Sequence, residues 1–352
     1  MASEASARDA TTKRGATRWA GGASGLGVTA VGWAIMSGVI TVSRSSCPAL
    51  FVVALAWTAL HAQPSKSSPA PKQAIAHRGA SAYRPEHTEA AYRLAMDQKV
   101  DFVEQDLGVT KDSQLICIHD DTLERTTNAA DVFPDRSVML AIGSRTPAKH
   151  WLVNDFTLAE IKRLDAGKWF KPEYTGARLL TFQEAIDLVR AHPGFGMYPE
   201  LKSPQLYKSR GIDQVKLFVD VVRKNGLEQP DSLKKTPVII QSFDEEAIHR
   251  VAADLPTIPR VFLTSNDADV TDARLRALAK FASGIAPGKF VIARHPDMVA
   301  RAHAAGLTVT SWTFRSDEKT DYPNVGAEMS HFLYDLGIDA LFTNNPDRFP
   351  RR

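Results

Sequence analysis

The chain has 352 residues, 44% of them apolar, 24% charged and 8% aromatic, a balance that excludes a disordered or collagen-like polypeptide. Its formal net charge is +3, and no basic run is interleaved with aromatics. That argues against a nucleic-acid partner.

Residues 1–62 read as an export segment rather than part of a fold. Arg44 precedes an apolar stretch from Pro48 to Leu60, and small residues lead to a cleavage position after Ala62. Met36 is a natural start for such a signal peptide, which makes the first 35 residues an over-extended start. A second reading takes the uncharged run Trp19 to Ser43 as a membrane anchor, but six glycines between Gly21 and Gly38 weaken it. The expected location is therefore periplasmic or secreted, with no stable membrane partner after cleavage. Residues 63–72, rich in proline and serine, read as a linker. If the signal is removed, Cys47 goes with it, and Cys117 is left as a small buried apolar residue.

From residue 73 to about 350 the chain alternates β-rich runs with helical patterns. The spacing predicts strands at Ala74–His77, Phe102–Val109, Leu115–His119, Gly196–Lys202, Val238–Phe243, Arg260–Thr264, Gly284–Ala286, Thr308–Phe314 and Ala340–Thr343. Helical patterns fall at Glu89–Asp97, Thr181–Ala191, Ile212–Asn225, Glu245–Leu255, Ala273–Ala282, Pro296–Ala305 and Ala327–Leu336. Repeated βα units over this length predict an α/β fold, a TIM (β/α)8 barrel. No Gly-x-Gly-x-x-Gly follows the first strand, which argues against an open dinucleotide-binding sheet. The stretch of about 129–175 is too long for a simple loop.

Ionisable residues gather where the early β-runs finish: His77-Arg78, Glu104 and Asp106, His119, then Glu200 and Lys202. In a barrel of this kind chemistry sits at the C-terminal strand ends. Residues i and i+2 of a strand share a face, roughly 6.6 to 6.8 Å apart. Glu104 and Asp106 therefore project together, as do Tyr198, Glu200 and Lys202. Converging carboxylates repel unless a cation neutralises them. Hard oxygen donors point to one divalent ion, Ca²⁺ or Mg²⁺. His77 and His119 are the natural proton handlers. Arg78 and Lys202 supply positive charge for a phosphodiester. The remaining histidines, His87 among them, read as surface or structural.

The run His77-Arg78-Gly79-Ala80-Ser81-Ala82-Tyr83-Arg84-Pro85-Glu86-His87-Thr88 closely resembles the opening motif of the glycerophosphodiester phosphodiesterase family. So do Phe102 to Asp112, His119-Asp120, Leu123-Glu124-Arg125-Thr126-Thr127, Tyr198-Pro199-Glu200-Leu201-Lys202, Ile240-Gln241-Ser242-Phe243-Asp244 and Leu336 to Thr343. The likeness spans residues 73–349 and is nearest the exported bacterial type, marked by Asp131 to Arg136 and Asp155 to Ile161. It implies a small helical insertion over the barrel mouth. It also implies that His77 and His119 form the acid–base pair, that Glu104, Asp106 and Glu200 bind the metal, and that Arg78 and Lys202 contact phosphate. Calcium is the ion it favours. Tyr198, Gln241 and Trp312 are assigned to the substrate pocket. The implied reaction releases sn-glycerol 3-phosphate and an alcohol from a deacylated phospholipid such as glycerophosphocholine. The chain departs from the family at Asn344, where the closing motif usually carries an aspartate. Rival readings are a phospholipase D-like barrel acting on lysophospholipid or sphingomyelin, which needs an apolar rim, and a barrel that binds without turnover.

Overall fold

The computed structural model describes residues 71–142 and 146–352. The apolar N-terminal segment, its cleavage position and most of the linker lie outside the described residues. Eight strands, β1 (Gln73–Ala76), β2 (Phe102–Val109), β3 (Gly196–Leu201), β4 (Ile240–Ser242), β5 (Arg260–Thr264), β6 (Gly284–Pro287), β7 (Thr308–Phe314) and β8 (Ala340–Thr343), follow one another around a sheet. All eight neighbours pair in parallel, and β1 bonds to both β8 and β2, which closes the barrel. The expected TIM barrel is the observed fold.

The alternation along β2 sets both faces. Val103, Leu107 and Val109 turn outward into the layer under the helices, where they join Tyr92, Phe182, Phe218 and their neighbours. Phe102 points inward and packs with Ile75, Tyr198, Val261, Leu263 and Phe342 in the barrel interior. Each large apolar side chain so buried is worth roughly 1.5–3 kcal/mol. Helices begin where a side chain can satisfy free backbone donors. The Thr88 hydroxyl accepts from Ala91 at the start of Glu89–Asp97, and Thr181 with Glu184 forms a reciprocal cap on Phe182–Arg190. Helices Gln214–Lys224 and Met298–Ala304 are followed by Gly226 and Gly306 at φ +58° and +84°, a left-handed stop that glycine takes without strain.

Two expectations are corrected. Leu115–Cys117 is not a barrel strand but the antiparallel partner of β2, with Leu107 opposite Cys117 and Val109 opposite Leu115. Only Thr110 to Gln114 connect the two, and a parallel crossover needs about a dozen residues or more. The insertion is not purely helical. Besides short helices at Ala129–Val132 and Leu158–Ile161 it carries an antiparallel hairpin, Val138–Leu140 with Ala148–His150. It has its own small core, with Ile116, Leu123, Trp151, Val153 and Phe156 at its centre. Three six-residue helices, Pro204–Ser209, Pro230–Lys235 and Lys289–Arg294, were not foreseen; they are too short to show a period. Cys117 is buried and unpaired, as expected. No helix among the described residues is long and apolar enough to cross a membrane.

Candidate active site

Strand register builds the site. Asp106 on β2 lies opposite Glu200 on β3, and Glu200 lies opposite Gln241 on β4, so three polar side chains share one level of the barrel. Glu104 sits two pairs lower, opposite Tyr198. Carboxylate oxygens of Glu104, Asp106 and Glu200 all come within 4.8 Å of one another, and all three residues are buried. They line an open cavity of about 230 Å³ together with His77, Arg78, His119, Lys202, Gln241 and Trp312. Nine of the ten site residues read from the sequence therefore meet in one place.

Tyr198 is the exception. It is buried below the cavity, edge-on to Phe102 and Phe342 with ring centroids 5.7 and 5.1 Å away. The i/i+2 rule put it on the correct face but one layer too deep. Gln241 reaches the cavity, yet its amide donates to Glu104 Oε1 at 2.9 Å, so it also orients a carboxylate. Trp312 donates through Nε1 to the Ala286 carbonyl at 2.8 Å and stands in an aromatic group with Phe243 and Phe290.

The loop after β1 brings the cationic side in. Arg78 and Gly79 both take left-handed backbone, at φ +58° and +87°. This turn lets the Arg78 N–H donate to Glu104 Oε2 at 3.0 Å while its guanidinium reaches over Asp106 and Glu86. A Cβ on Gly79 lands 2.8 Å from the backbone of Ala91. Gly79→Ala is therefore expected to destabilise the domain by about 2 kcal/mol or more. At about 2–4 °C per kcal/mol, thermal unfolding should show Tm falling by roughly 5 °C. An unchanged Tm contradicts this account of the turn.

Both histidines have fixed ring orientations. His77 Nδ1 meets Asn344 Oδ1 at 2.6 Å. An amide oxygen only accepts, so Nδ1 carries the proton and Nε2, 3.9 Å from Glu104, keeps its lone pair towards the cavity. His119 Nδ1 meets the Asp120 carboxylate at 2.5 Å, leaving its Nε2 free. Burial, followed by the charge of Arg78, lowers the His77 pKa to about 3, so the ring is neutral at physiological pH. His119 faces the Asp120 carboxylate and is about a third exposed.

The acids behave as a set. Burial, and then the neighbouring Asp106 and Glu200, push the Glu104 carboxyl well above the usual range. Burial raises Glu200 to about 8, with Lys202 pulling against it and Asp106 pushing with it. Burial alone raises Asp106 too, but a hydrogen bond from His87 and the charges of Lys202 and Arg78 hold it well below the ordinary value. Lys202 lies 3.2 Å from Glu200 and Arg78 3.2 Å from Asp106. Three acids facing two bases leave one uncompensated charge. A divalent cation and one phosphodiester monoanion together bring the site to neutrality. The donor set fits a hard divalent ion. A buried donor fits the anion as well: the Arg78 Nε–H is not aimed at Asp106 and has no acceptor.

Five contributors were given no role in the site from the sequence. His87 is the clearest, since it was read as surface or structural. It is buried at φ +56°, with Nε2 2.9 Å from Asp106 and Nδ1 3.0 Å from the Tyr92 hydroxyl. It holds one oxygen of Asp106 and leaves the other free, the usual work of a group behind a metal ligand. Asn344, Asp120, Glu86 and Arg125 are the others. All except Asn344 lie inside the quoted motifs, but their roles rest on contacts with distant segments.

Residues 77–348 match the model of the glycerophosphoryl diester phosphodiesterase family. The chain belongs to that family. As a member it is a hydrolase, and the expected enzyme class holds. It is 35% identical over 286 residues to a glycerophosphodiester phosphodiesterase of Bacillus subtilis, covering 78% of this chain and 84% of that one. It is 31% identical to an Arabidopsis thaliana glycerophosphodiester phosphodiesterase, covering 77% and 82%. Among solved structures it resembles an Oleispira antarctica phosphodiesterase in complex with the product sn-glycerol-3-phosphate, at TM-score 0.62 and 27% identity over 79% of this chain and 95% of that one.

Proposed function

We propose that the protein hydrolyses glycerophosphodiesters, deacylated phospholipids such as glycerophosphocholine, to sn-glycerol 3-phosphate and an alcohol. The observation that carries this reading is the convergence of a three-carboxylate ring, two phosphate-directed cations and two oriented imidazoles in one cavity. The product bound by the Oleispira relative supports it.

Glu104, Asp106 and Glu200 hold one divalent cation, Ca²⁺ in preference to Mg²⁺. The three carboxylates are hard oxygen donors of the kind Ca²⁺ takes. When bound, the ion supplies charge neutralisation and polarises the phosphoryl oxygens. Arg78 and Lys202 hold the remaining non-bridging oxygen, the Arg78 Nε–H gaining its missing acceptor. Gln241 Oε1, buried without a donor, accepts from a glycerol hydroxyl, and Trp312 walls that side. His77 Nε2 takes the proton of the attacking oxygen, from water or from the substrate's own glycerol hydroxyl, as that oxygen bonds to phosphorus; in the second route water then opens the cyclic phosphate to give sn-glycerol 3-phosphate. The phosphorus–alcohol bond breaks on the opposite side, and His119 Nε2 gives its proton to the leaving oxygen. Burial and the charge of Arg78 keep His77 neutral, Asn344 fixes its tautomer, and Asp120 orients His119.

That division makes a signed prediction. Asn344→Asp places a carboxylate on His77 Nδ1–H, which favours the imidazolium and raises the pKa of His77. The base is then lost at a higher pH, and the acid limb of the kcat/KM profile moves up by about one to two pH units. A limb that stays in place, or moves down, removes His77 as the base.

Assaying sn-glycerol 3-phosphate release from glycerophosphocholine, glycerophosphoethanolamine and glycerophosphoglycerol, with and without Ca²⁺, tests the reading directly. Failure to release it from all three rejects it. One observation favours a second reading: Phe243 and Phe290 are 47% and 44% exposed beside Trp312. Those rings are the apolar edge that a lysophospholipid needs, and turnover of lysophosphatidylcholine above that of glycerophosphocholine selects it. The same proposal places the enzyme outside the cytoplasm after cleavage near Ala62. Amino-terminal sequencing of the mature protein decides that, and an intact Met1 or Met36 start rejects it.

A further inference from the structure

The reaction leaves two charges without a task, the buried Glu86 and the exposed Arg125, and neither lines the cavity. Glu86 lies in the loop after β1, and Arg125 follows the turn that carries His119. The Arg125 guanidinium spans both sides of the site. Its Nε donates to Asp120 Oδ2 at 2.5 Å, and its Nη1 and Nη2 donate to the two Glu86 oxygens at 3.0 and 2.7 Å. Asp120 in turn holds His119 Nδ1, and Glu86 Oε1 accepts from Arg78 at 3.1 Å.

We infer that Glu86 and Arg125 are positioning residues. They form a bridge that holds the imidazole giving up the leaving-group proton at a set distance from the arginine that grips the phosphate. The inference rests on the reading in which His119 protonates the departing alcohol. Two features separate the bridge from an ordinary surface ion pair. Its Arg–Glu contact is bidentate, which fixes direction as well as distance, and Glu86 is only 9% exposed. It also joins two segments of the chain that each carry one reacting side chain, so its loss moves His119 relative to Arg78. Misplacement of about 1 Å in such a pair costs on the order of 100-fold in rate.

The test compares two substrates that share the glycerophosphate half. Choline leaves the first as an alkoxide that needs a proton, whereas p-nitrophenol leaves glycerophospho-p-nitrophenol as a stable phenolate. Arg125→Ala should lower kcat on the choline ester by about 10- to 100-fold and on the aryl ester by less than about threefold, with KM nearly constant. Because the Arg125 side chain is 40% exposed, added guanidinium ion should restore part of the choline-ester rate. Arg125→Lys, a point charge that cannot bridge two carboxylates, should give the same ordering at smaller size, and it carries the test if alanine prevents folding. His119→Ala is run alongside. Equal losses on both esters in the Arg125 variants, while His119→Ala still discriminates, overturn the bridge and leave the acid assignment standing. If His119→Ala does not discriminate, the acid assignment fails and the bridge falls with it.

Discussion

His119→Ala should fold with an unchanged Tm and lose between about 10² and 10⁴ of kcat on alkyl glycerophosphodiesters. The side chain sits at the rim, its nitrogen held by Asp120 and not by the apolar core, so truncation opens no cavity that the fold must absorb. What disappears is the proton donor proposed to meet the departing oxygen. His77→Ala should cost a comparable factor for the opposite reason: the neutral, buried Nε2 proposed to accept the attacking proton is gone. The two losses should not add in the double variant, because each step needs both transfers in one transition state. Single-turnover kinetics on the purified variants, with thermal unfolding as the control, check this. Either single variant near wild-type turnover removes that histidine from the mechanism.

Chelation should produce the second large effect. EDTA is expected to abolish turnover, and restored Ca²⁺ to return it. Glu104→Gln should weaken Ca²⁺ binding by at least about 100-fold, since even partners behind a ligand cost 10- to 100-fold. The pH dependence has a definite sign. Without a cation, burial and mutual repulsion keep protons on Glu104 and on Glu200, whose pKa rises to about 8. Binding the ion must expel them. Apparent affinity should therefore climb with pH from neutrality, with protons released on binding. Calorimetry in buffers of different ionisation enthalpy measures the release without reference to turnover. An affinity flat across pH 6 to 9, or full activity after chelation, removes the cation from this ring.

The exposed pair Phe243 and Phe290 bears on substrate choice more than on chemistry. They stand beside Trp312 and outside the carboxylate ring. Changes there should redistribute rates among head groups and leave the acid–base pair untouched.

Much of the fold and most of the site were legible along the chain. The period-2 pattern of Phe102–Val109 places Glu104 and Asp106 on one face whatever lies around them, and βα units at this length leave few ways to close a core. Strand ends carrying His77, Glu104, Asp106, Glu200 and Lys202 then mark the open end of the barrel, because side-chain direction in a strand is a local property. Depth, pairing and second partners are not local. Tyr198 obeys the same alternation as Glu200 and yet lies beneath the cavity, because cross-barrel register sets its height. Leu115–Cys117 reads as one more strand, but only its pairing with β2 makes it a hairpin. His87, Glu86 and Arg125 take their roles from Asp106, Arg78 and Asp120, contacts that arise only when separate segments pack together. Asn344 becomes meaningful only when closure between β8 and β1 sets it against His77. Sequence alone determined which chemical groups face inward; the closed barrel decided which of them touch, since contact between distant segments is a property of packing and not of spacing.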